Sequence, residues 1–118
     1  MNRSAIRLIT TAVGLNMIVF GISQITRPAG WRHYLPQSFA QLLPMSRDTA
    51  LRIHGLGNIS LGLWFASGRG QKVSTPIVAG WWAFVLPLCG RQDWRAGMRD
   101  VSILGAILAV GSQQTKHQ

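Results

Sequence analysis

The side chains in this chain with most capacity for chemistry gather on one apolar stretch. Arg52, His54 and Asn58 stand between about 47 and 68, among residues suited to lipid or to a packed core. An imidazole and an amide at i and i+4 share one face of a helix. His54 and Asn58 can therefore line a binding site together. Trp81 and Trp82 fall in the middle of a later apolar run, deeper than the headgroup level where tryptophan collects in membranes. They either pack against neighbouring helices or form an aromatic wall of the same site. Arg52, His54, Asn58, Trp81 and Trp82 are the binding candidates.

Depth in the chain implies two pairings. Arg52 lies about one turn into its helix, and Asp100 opens the last apolar run at the same end of a helical bundle. Ionised groups in a low-dielectric interior need partners, so a structural Arg52–Asp100 ion pair is expected, with Asp48 or Arg99 as further members. The competing expectation is that Arg52 extends its stem to reach the headgroups. Asn16 and Asn58 each fall near the midpoint of their runs. An interhelical Asn16–Asn58 hydrogen bond, worth about 1 kcal/mol, would satisfy both.

No catalytic constellation accompanies these residues. The sequence has no G-x-S-x-G, no phosphate-binding P-loop and no H-E-x-x-H. His33, His54 and His117 have no carboxylate or thiolate at metal-ligand spacing, so no metal site is expected. Cys89 is alone, which leaves no internal disulfide and no C-x-x-C pair. Proton-coupled transport commonly uses a carboxylate deep in the membrane, and the apolar runs carry none.

The elements that must position these groups read as helices in a bilayer. Of 118 residues, 13% are charged, roughly half the usual share. Lys and Arg number 12 against 3 Asp and Glu, giving a net charge of +9. The basic residues sit at the edges of apolar runs, where anionic headgroups attract them. That placement argues against a nucleic-acid partner, which would want a basic face or stripe. The implied fold is all-α: an integral membrane four-helix bundle, one transmembrane domain over 1–118, with helices at about 5–27, 47–68, 74–90 and 95–112. It would be a multi-pass membrane protein.

Local signals agree. Pro28, Gly30, Pro36 and Pro44 punctuate the segment between the first two helices. Trp31 and Tyr34 suit the headgroup level there, and Gln37 to Leu43 can form helical turns lying in the interface. Ser46 is a candidate N-cap, with Asp48 in the first turn. Gly55, Ile59, Gly62 and Ala66 fall on one stripe, where small residues let helix backbones approach closely. Pro76 is expected in the first turn of the third helix, and Pro87 is expected to kink or end it. The fourth run, Val101 to Gly111, is shorter than the roughly 20 residues that span a bilayer, so its helix must begin earlier. A cleaved signal peptide is the alternative for the first run. A soluble helical bundle is the alternative for the whole. The little amphipathic period of the first and third runs speaks against it. The basic residues divide too evenly between the two ends to orient the bundle.

The order of motifs resembles the DoxX-like family of small four-helix membrane proteins. The first helix ends Phe20-Gly21-Ile-Ser-Gln-Ile, followed by Pro28, Trp31 and Tyr34-Leu-Pro36. The second reads Leu51-Arg52-Ile-His-Gly55-Leu-Gly-Asn58-Ile-Ser-Leu-Gly62-Leu, and the last opens Met98-Arg99-Asp100. The resemblance covers about residues 8 to 110. It departs at Asn58, where the family often has a glutamate, so a proton-linked role for that position is not implied. The family includes a subunit linked to thiosulfate:quinone oxidoreduction and members that look like membrane anchors for redox or detoxifying proteins. The resemblance implies first a non-catalytic membrane subunit or anchor, partnered by lipid and by a soluble redox protein or a second copy of the chain. The alternatives are a redox-associated protein binding a quinone between its helices, and a small transporter.

Overall fold

Asn2 starts the first helix: its side chain accepts a hydrogen bond from the Ala5 N–H at 2.8 Å, satisfying one of the orphan donors of a helix N-terminus. This helix, α1 (Arg3–Thr26), carries no charge beyond Arg7. It stops where Pro28 begins a 3-10 segment, Pro28–Tyr34. Arg27 leaves helical geometry at φ −136°, ψ 61°, as steric conflict with a following proline demands. Ser46 caps α2 (Arg47–Ser67), accepting from the Thr49 N–H at 3.2 Å, with Asp48 in the first turn. Gly68 ends α2 in the left-handed region at φ 75°, and Gly70 follows at φ 60°. A side chain is strained in that conformation, which suits glycine. The turn leads directly into α3 (Gln71–Gln92), and α4 (Trp94–Lys116) completes the chain. The computed structural model describes residues 2–35, 40–92 and 94–116, and these are all-helical apart from turns and bends.

The four expected helices are present, with shifted boundaries. α3 begins at Gln71 rather than near 74, so Pro76 lies in its second turn, not its first. Pro87 does not end α3, which continues to Gln92. α4 runs to Lys116, well past the expected end near 112. Its 23 residues make a rod of about 34 Å at 1.5 Å per residue. Of the helical turns expected over 37–43, positions 37–39 lie outside the described residues, and 41–45 run as turns and bends. The regular element described between α1 and α2 is the 3-10 segment Pro28–Tyr34.

α1 and α2 form a tightly packed antiparallel pair. Gly14 lies against Gly62 and Gly21 against Gly55, so the spacing is one heptad on both helices. A Cβ on Gly14 or Gly21 would stand 2.5 Å from the carbonyl oxygen of its opposite glycine. Ile59 and Ala66 fill the remaining positions of the stripe. α3 and α4 form the second close pair. The two pairs meet along thinner α1–α4 and α2–α3 seams, so α2 and α4 stand diagonally. A core of Met17, Phe65, Val78, Trp82 and Ile107 joins the pairs. Above it, toward the 3-10 segment, the seam opens into a cavity.

Among the described residues one helix, α1, is long and apolar enough to cross a membrane by length and composition. Its most apolar stretch is 28% buried.

Candidate functional site

The cavity has a volume of about 360 Å³ and an overwhelmingly apolar wall. That volume lies in the range of small-molecule sites. Phe20, Trp31 and Tyr34 line one side, Trp81, Trp82 and Phe84 another. Its polar groups are few: Gln24 from α1, His54 and Asn58 from α2, and Arg99 with Asp100 from α4.

Gly21 against Gly55 sets the depth of α1 on α2. It brings Gln24, one turn on, beside His54 and Asn58. Gly57 leaves space for the Trp81 ring, which a Cβ there would strike. The result is a directed chain of hydrogen bonds. Trp81 Nε1–H donates to Asn58 Oδ1 at 2.7 Å. Asn58 Nδ2 donates to Gln24 Oε1 at 2.8 Å. Gln24 Nε2 lies 3.2 Å from His54 Nδ1. An indole N–H is a donor only, so the first bond fixes which amide atom of Asn58 faces which way. Asn58 in turn orients Gln24.

His54 meets the end of this chain. Its Nδ1 faces amide nitrogens of Gln24 at 3.2 Å and Asn58 at 3.5 Å. A proton on Nδ1 would point at these donors, although Gln24 Oε1 also lies 3.3 Å away. That oxygen already accepts from Asn58. Its second lone pair can still accept, so Nδ1 accepts from Gln24 Nε2 in one neutral tautomer and donates to Gln24 Oε1 in the other. The imidazole stacks on Trp81, centroids 4.6 Å apart and planes 19° from parallel, which holds the ring's plane as the amide chain holds its edge.

On α4, Asp100 is 1% exposed yet borders the cavity. Arg99 donates from Nε to its Oδ1 at 3.3 Å. The Arg99 guanidinium also lies 4.9 Å from the Phe20 ring centroid, a cation–π contact linking α4 to α1. The 3-10 segment covers this end. Trp31 donates to Ser23 Oγ at 2.9 Å and sits edge-on to Phe20. Arg32 grips both oxygens of Asp48 at 2.7 Å, and Arg47 donates to the carbonyls of Arg32 and Leu35. The paired hydrogen bonds from Arg32 hold the Asp48 carboxyl below the usual carboxylate range, against a smaller opposing effect of desolvation.

Of the predicted site residues, His54, Asn58, Trp81 and Trp82 come together around the cavity. Arg52 does not join them: it is exposed on α2. The expected Arg52–Asp100 pair is absent because α2 and α4 are diagonal, and Asp100 meets Arg99 instead. Asp48, named as a further member of that network, pairs with Arg32. The expected Asn16–Asn58 bond is also absent. Asn58 is engaged by Gln24 and Trp81, while Asn16 Oδ1 is buried with no partner. Asn16 lies about 100° around α1 from Met17, off the face that meets α2. His117 lies outside the described residues.

Gln24 and Phe20 line the cavity in addition to the residues expected from the sequence. Gln24 had a signal: Gly14, Met17, Gly21 and Gln24 recur at helical spacing, all buried, so a polar residue on that stripe had to face α2.

The chain matches no protein-family model, no curated protein and no solved structure.

Proposed function

We propose that this chain is a multi-pass membrane protein of DoxX-like type whose inter-helix cavity binds the head of a quinone-class molecule. The observation that carries the reading is the Trp81–Asn58–Gln24–His54 chain at the polar end of an aromatic, otherwise apolar cavity. A planar ring suits the indole and phenyl walls. Its carbonyl oxygen needs a donor in a dry site, which His54 Nε2–H supplies in the tautomer whose Nδ1 accepts from Gln24. A non-catalytic anchor needs no such cavity and no oriented imidazole.

Three observations support the membrane setting. Large apolar side chains stand exposed on every helix, among them Leu8 at 71%, Leu56 at 58%, Phe84 at 60% and Leu108 at 57%. Water would penalise such a surface. The long dimension, 44 Å, fits the roughly 40–45 Å of a bilayer with its headgroups. Glycine-to-glycine packing of α1 on α2 is the contact that membrane helices favour.

The test is native mass spectrometry of the protein gently solubilised from its own membranes. A retained quinone, lost in His54→Ala, is the expected result. A soluble protein partner with no small molecule would return the anchor to first place.

A further inference from the structure

Three large apolar side chains border the cavity and also stand on the outer surface of the bundle: Met45 at 36% exposure, Ile53 at 52% and Phe84 at 60%. They share one flank. Gly57 of α2 packs on the Trp81 ring of α3. About one turn from that contact toward the 3-10 segment, Ile53 stands on α2 and Phe84 on α3. Met45 lies just before α2, at the same end. The cavity therefore has a mouth between α2 and α3, and the rim of that mouth is apolar.

The other sides are covered. Leu35 and Leu51, both buried, pack with Trp31 at the end that carries the 3-10 segment, and the paired hydrogen bonds from Arg32 to Asp48 hold that roof from outside. Trp82, part of the core, closes the floor. On the α1–α4 side Arg99 is exposed, but its guanidinium lies over the Phe20 ring and bridges the seam. The depth of the mouth is also informative. From Arg47, where α2 starts, to Ile53 the helix rises about 9 Å at 1.5 Å per residue. The headgroup layer takes about 5–8 Å on each side of a bilayer, so the mouth faces hydrocarbon rather than water.

Resting on the quinone-class reading above, we infer that the α2–α3 mouth is where an apolar chain leaves the cavity. The ligand is then an amphiphile dissolved in the membrane, with its ring head inside the cavity and its hydrocarbon chain lying against Ile53 and Phe84. A volume of about 360 Å³ is near the lower end for ligand sites, and it holds a ring with little of a chain. A chain directed at the roof would have to displace Leu35 and Leu51. One directed between α1 and α4 would have to lift a guanidinium off an aromatic ring. At the mouth the chain meets apolar surface at every step. Beyond Phe84 on the same face of α3 come Gly80, where a Cβ would meet nothing within 4 Å, and Ile77, which is 44% exposed. The ligand enters and leaves through lipid.

Photolabelling of the full-length protein in phospholipid nanodiscs tests this. The probe is a benzoquinone carrying a saturated alkyl chain with a diazirine at its middle, and the competitor is the same ring without the chain, in large excess. Adducts are placed by peptide mass spectrometry. Those suppressed by the competitor should fall on the flank of Met45, Ile53, Phe84 and Ile77. Suppressed adducts that fall instead on Trp31 to Leu35, or on Phe20 and the first turns of α4, overturn the inference and leave the quinone-class reading standing. If the bare ring suppresses no adduct anywhere, no ring is held in the cavity, and the quinone-class reading fails together with the inference. The native protein decides all three outcomes, so no variant has to fold.

Discussion

Trp81 and Asn58 are joined by a 2.7 Å hydrogen bond from the indole to the amide oxygen, and that bond sets the polarity of everything beyond it. Reversing the Asn58 amide would oppose two donors. The same reversal would turn Gln24 as well. Trp81→Phe keeps a ring for His54 to stack on but removes the N–H. Asn58 Oδ1 is then buried without its donor, which costs about 1–3 kcal/mol. Thermal unfolding in detergent should show that loss, together with weaker ligand binding. Unchanged stability and affinity would mean that Trp81 only fills space.

The register of α1 on α2 depends on two glycine pairs. A methyl group at Gly21 or Gly55 would stand 2.5 or 2.7 Å from the opposing carbonyl oxygen, and backbone cannot step aside as a side chain can. Gly21→Ala and Gly55→Ala should each destabilise by about 1–3 kcal/mol. They should also displace Gln24 from His54, so ligand affinity should fall with stability. Gly80→Ala is the control, since nothing lies within 4 Å of a Cβ there. Equal melting temperatures for Gly21→Ala and Gly80→Ala would contradict this packing.

Helix number, the Ser46 cap and the stripe of Gly55 and Gly62 were legible because local chemistry sets them: a hydroxyl before a helix, or small residues at helical spacing. The partners of buried polar groups were not. Depth alone placed Asn16 with Asn58 and Arg52 with Asp100, but partner choice depends also on rotation about each helix axis and on which helices are neighbours. Asn16 fails on the first count and Arg52 on the second. Pro76 and Pro87 misled in another way. Each is a boundary signal in isolation, yet α3 runs through both, because a helix packed on its neighbours can tolerate a missing N–H inside it.

The Arg32–Asp48 pair fastens the 3-10 segment over the cavity, and its pH dependence has a definite sign. The folded Asp48 carboxyl titrates below its unfolded value of about 3.9. Its contribution to stability is therefore complete above that value and is lost as pH falls through the lower, folded one. The melting-temperature gap between the native protein and Asp48→Asn should stay constant from pH 7 to 5 and close below about pH 4. A gap that closes between pH 7 and 5 would point to a different titrating group.

Leu56 separates the membrane setting from a soluble bundle. It sits near the middle of α2 and is 58% exposed, turned away from the cavity and the glycine seam. In water, an arginine at such a position would change stability by no more than about 0.5 kcal/mol, and its charge would aid solubility. At the centre of a membrane helix the same residue costs about 2.5–3.5 kcal/mol of insertion free energy. Leu56→Arg should therefore leave a smaller fraction of the protein resistant to alkaline extraction from membranes, while Leu56→Met should match the native protein. If Leu56→Arg instead gives a folded protein that is soluble without detergent, the exposed apolar faces of α1 to α4 do not meet lipid.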